Sequence, residues 1–212
     1  MAVFGPAWDR HEERLEGAWR ERVRPEDVVI VAGDISWAMR EAEVLPDLRF
    51  LASLPGRKVL LKGNHDYWWS TRKRVQALLG GGGYALQTNA VELSGAAIVG
   101  ARGWEAPGSL QGTDDDARLY ARELERLRLS LAAGAKTGRP LIAALHYPPL
   151  ARDGERTEVS DLLERHRVRQ CVYGHLHGAA HRARVEGEIR GIAYHLVAAD
   201  YLDFTPKQIC EL

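Results

Sequence analysis

The run Val59-Leu60-Leu61-Lys62-Gly63-Asn64-His65-Asp66 decides how the chain is read. Its apolar opening has the composition of a buried strand, and Gly63 lets the backbone turn sharply where that strand ends. The turn delivers an amide, an imidazole and a carboxylate to a strand's C-terminal end, where open α/β sheets bind their ligands. Taken singly, Asn64-His65-Asp66 equally describes an ordinary polar turn. The remainder of the chain separates the two readings.

Three more apolar strands end in the same way. Val28-Val29-Ile30-Val31-Ala32 runs into Gly33-Asp34, Leu141 to Leu145 runs into His146, and Gln170 to Tyr173 runs into Gly174-His175-Leu176-His177. Strand ends on one rim of a sheet meet in space however far apart they lie in sequence. A carboxylate, an amide oxygen and several imidazoles without a thiolate suit manganese, iron or zinc, and do not suit copper(I) or an iron–sulfur cluster.

The intervening segments read as helices and further strands. Apolar spacing predicts a helix over about Asp9 to Arg22, with Asp9 and Glu12 as a capping pair. A second lies between Met39 and Leu54, interrupted at Pro46, and a third runs from Ser70, its N-cap, to Leu79. Gly80 to Gly83 follow a helix, so they read as its stop and not as a phosphate cradle. Tyr84 to Leu93 and Ala96 to Val99 read as two strands around a turn at Ser94-Gly95. Asp114, Asp115 and Asp116 open a long helix striped by Tyr120, Leu124, Leu127 and Leu131, where carboxylates suit the helix dipole. A short helix over Val159 to Arg165 and closing strands from Ile189 to Asp200 complete the order. No repeat or linker divides the chain, so residues 1–212 read as one domain.

Composition excludes several classes. Hydrophobic residues make up 45% and charged residues 27%, as in an ordinary globular protein. Lys+Arg and Asp+Glu both number 29, so no net charge recommends a nucleic-acid or anionic-membrane partner. No apolar run has the length of a membrane span, and the N-terminus lacks a signal peptide's basic-then-apolar pattern. Two cysteines in no metal-like or redox-like spacing fit a reducing compartment. The expectation is a cytoplasmic protein with no obligate nucleic acid and no membrane; oligomeric state is not legible.

The ordered set resembles the calcineurin-like metallophosphoesterases, whose pattern is D-x-H, G-D, G-N-H-D/E, H and G-H-x-H. Gly33-Asp34, Gly63-Asn64-His65-Asp66, His146 and Gly174-His175-Leu176-His177 match in order. Asp34-Ile35-Ser36-Trp37 and Tyr67-Trp68-Trp69 are also similar to a bacterial branch of predicted phosphohydrolases. The resemblance implies a four-layer α/β/β/α sandwich and two divalent metal ions, manganese, iron or zinc. It implies hydrolysis of a small phosphate mono- or diester by a hydroxide that bridges the metals. Asp34 would bridge the ions; Asn64, His146 and His175 would complete the second ion's ligand set, and His177 would bind the first ion. His65 would be the acid at the leaving group, with Asp66 orienting it by accepting from its ring.

One family motif is out of place. Asp9-Arg10-His11 matches the letters of D-x-H, but no strand precedes it and Asp9 reads as a helix cap. Without D-x-H the first ion keeps only Asp34 and His177, too few for tight binding, so whether this chain holds two ions or only one stays open, and a core strand is missing. The expectation is a domain truncated at its N-terminus, with the motif upstream of Met1. The alternative is a weak or inactive member that serves as a protein-binding platform.

Other residues divide between site and scaffold. Arg102 and Trp104, on a loop after a strand, are candidates for substrate contact. Trp37, Trp68 and Trp69 flank the site but read better as core aromatics. Arg72, Lys73 and Arg74 read as a solvated basic face. His11, His166, His181 and His195 fit no ligand position, and Cys171 reads as core filler.

Overall fold

The apolar runs are sorted into two sheets. The computed structural model describes residues 5–106, 114–151 and 153–212, apart from the side chain of Asp114. The first sheet is parallel and three-stranded, in the order β1 (Val28–Val31), β2 (Arg57–Leu61), β3 (Gly83–Leu86). The second contains β4 (Val91–Leu93), β5 (Ala96–Ala101), β6 (Leu141–Leu145), β7 (Gln170–Tyr173), β8 (Gly187–Ile189) and β9 (Ile192–Leu196), in spatial order β4-β5-β6-β7-β9-β8. Its four central strands are parallel, and antiparallel β4 and β8 close its edges.

Side-chain alternation along β2 shows how the layers form. Val59 and Leu61 face Ile98, Ala144 and Val172 of the second sheet, while Leu60 points the other way. On that outer face sit α2 (Glu41–Ser53) and α3 (Arg72–Leu79), which bury Val44, Leu48 and Val75 against Leu60, Trp68 and Trp69. On the far side, α4 (Asp114–Ala135) and α5 (Glu158–Arg165) cover Val99, Ala143 and Cys171 with the expected stripe Tyr120, Leu124, Leu127 and Leu131. Full burial of each such side chain is worth about 1.5–3 kcal/mol. The expected four-layer α/β/β/α sandwich is the architecture, and α1 (His11–Arg22) precedes it.

Local chemistry corrects four details. Arg10, in a left-handed conformation (φ 52°), and not Asp9, is the N-cap of α1, and no side chain caps that helix. Helix α2 runs through Pro46 without a break, because Pro46 and Ala42 both face solvent while Val44 and Leu48 anchor the other side. Thr71, and not Ser70, caps α3, accepting from the Arg74 N–H at 3.3 Å; the Ser70 hydroxyl instead donates to Glu41 at 3.2 Å. Tyr84 to Leu93 is not one strand: the chain leaves the first sheet after Leu86 and enters the second at Val91. Asn89 turns it by accepting from the Gln87 N–H at 3.1 Å.

Strand β1 occupies an edge. Among the described residues it pairs with β2 alone, and its Val-Val-Ile-Val side chains stay half-buried although β2 is almost wholly buried. A cleft of about 1700 Å³ runs along it, walled by Trp8 and α1, by the inner faces of Ile98, Ile142 and Val172, and by the extended segment 205–212.

Candidate metal centre

Two glycines bring the first two strand ends together. Gly33 takes φ 94°, and a Cβ there would stand 2.6 Å from Nδ1 of His146 and 2.7 Å from the Gly63 Cα. A Cβ on Gly63 would stand 2.0 Å from the Asp34 carboxylate. The turns after β1 and β2 therefore interlock only as glycines. Asp34 is held in the left-handed region (φ 53°), as is His175 (φ 68°), a conformation that concentrates at functional sites. The Asp34 Oδ1 accepts from the His65 backbone N–H at 2.8 Å.

Four side chains from four strand ends meet around one point. Nε2 of His146 lies 2.7 Å from Asn64 Oδ1, 3.3 Å from Nδ1 of His175 and 3.5 Å from Asp34 Oδ2. The same Asn64 oxygen lies 3.0 Å from His175 Nδ1. Nδ1 of His146 donates to the Ala32 carbonyl at 2.8 Å, so the neutral ring presents a bare lone pair at Nε2. Burial is the main cause that lowers the His146 pKa, and burial followed by the proximity of His146 holds His175 down to about 4. Both rings are thus neutral at pH 7, the form in which an imidazole ligates a metal. At most one proton, on His175, serves four electron-pair donors.

That donor chemistry fits a hard or borderline divalent cation. As the side chains stand, they contact one another: among the described residues no group of three or more His, Cys, Asp or Glu is arranged to hold a metal ion. The fourth member of the cluster is an asparagine, and the carboxylate approaches only His146 among the rings at salt-bridge distance.

His177 lines the same cleft but engages a different partner. Its Nδ1 donates to Asp200 Oδ1 at 2.7 Å, and Asp200 Oδ2 accepts from the Gly178 N–H at 2.9 Å and lies 3.3 Å from His181 Nε2. Burial would raise the Asp200 carboxyl, but the hydrogen bonds from His177 and Gly178 outweigh it and hold it at about 2. A carboxylate behind Nδ1 turns Nε2 of His177 the opposite way and fixes its tautomer. The sequence reading missed Asp200 and took His181 for a bystander. The signal was present, since Asp200 follows the apolar strand β9 as Asp34 follows β1.

Asp66 does something other than expected. Its fully buried carboxylate accepts from the N–H groups of Ile35 (2.9 Å), Ser36 (3.1 Å) and Gly63 (2.7 Å) and from the Trp68 indole (3.0 Å). With those four donors in place, Asp66 clasps the two turns and not the His65 ring. Burial nonetheless raises its pKa above the ordinary carboxylate range. The His65 ring lies instead against Trp37, with centroids 5.1 Å apart, and edge-on to Tyr67 at 6.2 Å.

Arg102 and Trp104 are turned away from the cleft. The Arg102 guanidinium sits 3.3 Å from buried Glu123 of α4 and over the Trp104 ring at 4.6 Å, and the Trp104 indole donates to Asp116 at 3.0 Å. Neither lines the space that holds Asp34 and His146. The Arg102 backbone matters more than its charge: its carbonyl accepts from the N–H groups of His146 and Tyr147, both at 3.0 Å, and so fixes the turn after β6. His11 donates to the Trp8 carbonyl and His195 pairs with Gln170, scaffold roles as expected, and Cys171 is buried in the core. Arg74 pairs with Glu41 at 2.8 Å, in keeping with a solvated basic face.

Comparison with known proteins bears directly on this geometry. The Gene 66 protein of Mycobacterium phage D29 is 38% identical over 100 residues, which are 38% of this chain and 48% of the phage protein. The chain thus matches about half the length of that relative. The crystal structure of the protein of unknown function AQ665 from Aquifex aeolicus superposes with a TM-score of 0.46 at 17% identity, over 92% of this chain and 80% of that one, too loosely to carry an argument. No helix among the described residues is long and apolar enough to cross a membrane. The family model of the calcineurin-like phosphoesterases matches residues 7–179, a span that contains every strand end of the cluster, and the chain belongs to that family.

Proposed function

We propose that this protein is a metal-dependent hydrolase of a small phosphate mono- or diester. Asp34, Asn64, His146 and His175 would hold one divalent ion, manganese, iron or zinc, and Asp34 with His177 would contribute to a second. The observation that carries this reading is the proton-poor cluster around His146 Nε2: its donors lie 2.7–3.5 Å from that atom with almost no hydrogen to share. Family membership supports phosphoester hydrolysis in general. Divalent ions at such a site supply positive charge against the charge growing on the phosphate oxygens and acidify bound water.

The chain's own residues have distinct tasks in this scheme. His65 gives a proton to the departing ester oxygen, a contribution of about 10²–10⁴-fold. Its position follows from the bond between its backbone and Asp34, which ties the acid to the carboxylate that would hold the ions. Asp66 holds both turns in place, and Asp200 sets the tautomer of His177.

Two ligands are too few to hold the second ion tightly. We propose that a strand bearing the D-x-H motif lies along β1 in the full protein, which the edge position of β1 and the adjoining cleft support. The shortage of ligands equally motivates a second reading, a one-ion or inactive member used as a binding platform. Assays of aryl phosphate mono- and diesters with added manganese separate the two. The enzyme reading expects turnover that falls at least about 100-fold in His65→Ala. No turnover by metal-loaded protein extended upstream would favour the platform.

A further inference from the structure

His146 does not leave β6 alone, because the buried ring of Tyr147 follows it into the centre. That ring lies over His175 with centroids 4.0 Å apart and 33° between planes, the closest ring pair among the described residues. It also meets the His146 ring edge-on at 5.4 Å. Its remaining aromatic neighbour is Trp104, at 5.0 Å, which the Arg102 guanidinium covers in turn. Arg102 and Trp104 stand away from the cleft, yet ring contacts run from them through Tyr147 to two proposed ligands. Among the described residues no hydrogen bond engages the Tyr147 hydroxyl, so its contacts at the centre are those of the ring.

We infer that Tyr147 is a positioning residue: its ring fixes the planes of the His175 and His146 imidazoles and so sets the affinity of the ion they would share. The inference deepens the metal-centre reading and rests on it. An imidazole binds a metal through a lone pair in its own plane, so a turn of the ring carries that pair off the ion. The ring torsion of histidine has only broad intrinsic preferences, and neighbours decide the plane. A metal-bound histidine is ordinarily steadied by a hydrogen bond at its other nitrogen. His146 has that partner in the Ala32 carbonyl. His175 does not: among the described residues its ring nitrogens reach only Asn64 and His146, themselves proposed ligands. Its backbone is also held in the left-handed region. The face of Tyr147 therefore supplies for His175 what a hydrogen bond supplies for His146.

The test titrates chelator-treated protein with manganese, followed by electron paramagnetic resonance, in wild type and four variants. Tyr147→Leu should weaken binding about 5- to 100-fold, and Trp104→Leu, one ring further out, about 2- to 10-fold. Tyr147→Phe keeps the ring and should stay within about twofold of wild type. Tyr194→Leu removes an equally buried tyrosine from the core of the second sheet, and it should lose stability in denaturant without losing affinity. Affinity retained by Tyr147→Leu, or lost equally in Tyr194→Leu, would overturn the positioning role while leaving the cation site standing. An equal loss in Tyr147→Phe would move the effect to the hydroxyl and overturn it too. If Tyr147→Leu does not fold, unchanged affinity in Trp104→Leu overturns the inference in its place. No saturable binding by wild type would overturn the cation site and the inference together.

Discussion

Two aspartates outside the four-residue cluster carry much of the order at this site. Asp66→Ala leaves three backbone N–H groups and an indole N–H without their acceptor, and each buried orphan costs about 1–3 kcal/mol. Denaturant titration should therefore show a loss of several kcal/mol, about 3 or more, against a total near 5–15 kcal/mol. Asp200→Ala acts differently: it frees the His177 tautomer, and manganese affinity at the ion proposed for Asp34 and His177 should drop about 10- to 100-fold. Calorimetric titration of the metal checks this. Protonation of His175 supplies a third expectation. Its folded value of about 4 lies below the unfolded value of about 6.5. Between those values the unfolded chain binds the proton that the folded chain refuses. The stability held by neutral His175 is fully present above about pH 6.5 and is lost as pH falls toward about 4. Chelator-treated protein should lose more melting temperature between pH 7 and pH 4.5 than His175→Gln; equal losses would contradict the assignment. The proposed ligand residues were legible because each follows an apolar strand. The task of Asp66 was not, since two of its four donors, Ile35 and Ser36, lie 31 and 30 residues away and only the folded chain brings them to it.

Strand ends and glycines set the geometry of the centre. Because a Gly63 Cβ would collide with Asp34 at 2.0 Å, Gly63→Ala must drive the two turns apart. The variant should bind manganese at least about tenfold more weakly even where it folds, since ligand geometry and outer contacts both control affinity. Gly100 plays the matching part in the second sheet, where a Cβ would fall 1.9 Å from the Ala144 carbonyl across the β5–β6 pair. Most elements could be read from periodicity alone, because β2, β6 and β7 are short apolar runs with a glycine or polar residue at their close. The passage between sheets at Gln87 to Ala90 could not. Apolar residues continue on both sides of it, so composition marks no break, and the Asn89 turn that makes one is a local side-chain bond. Pro46 misled for the opposite reason: its unpaired carbonyl partner faces water, so the helix tolerates it.

At the scale of the whole molecule, the sandwich brings Asp34 and His175, 141 residues apart, onto one rim. The topology accounts for it: β1 and β2 of one sheet and β6 and β7 of the other are all parallel within their sheets and end at the same cleft. Among the described residues, the edge of β1 beside that cleft carries no further strand. The family and its layers were visible in the ordered motifs; the half-buried state of β1 was not, because Val-Val-Ile-Val reads as a fully buried strand wherever it sits. The central claim is that the proton-poor cluster is a cation site. Equilibrium titration of the chelator-treated chain with manganese, followed by electron paramagnetic resonance, tests it most directly. The account predicts one tightly bound ion per chain, abolished by His146→Ala and by Asn64→Ala; no saturable binding, or binding that both variants retain, would contradict it.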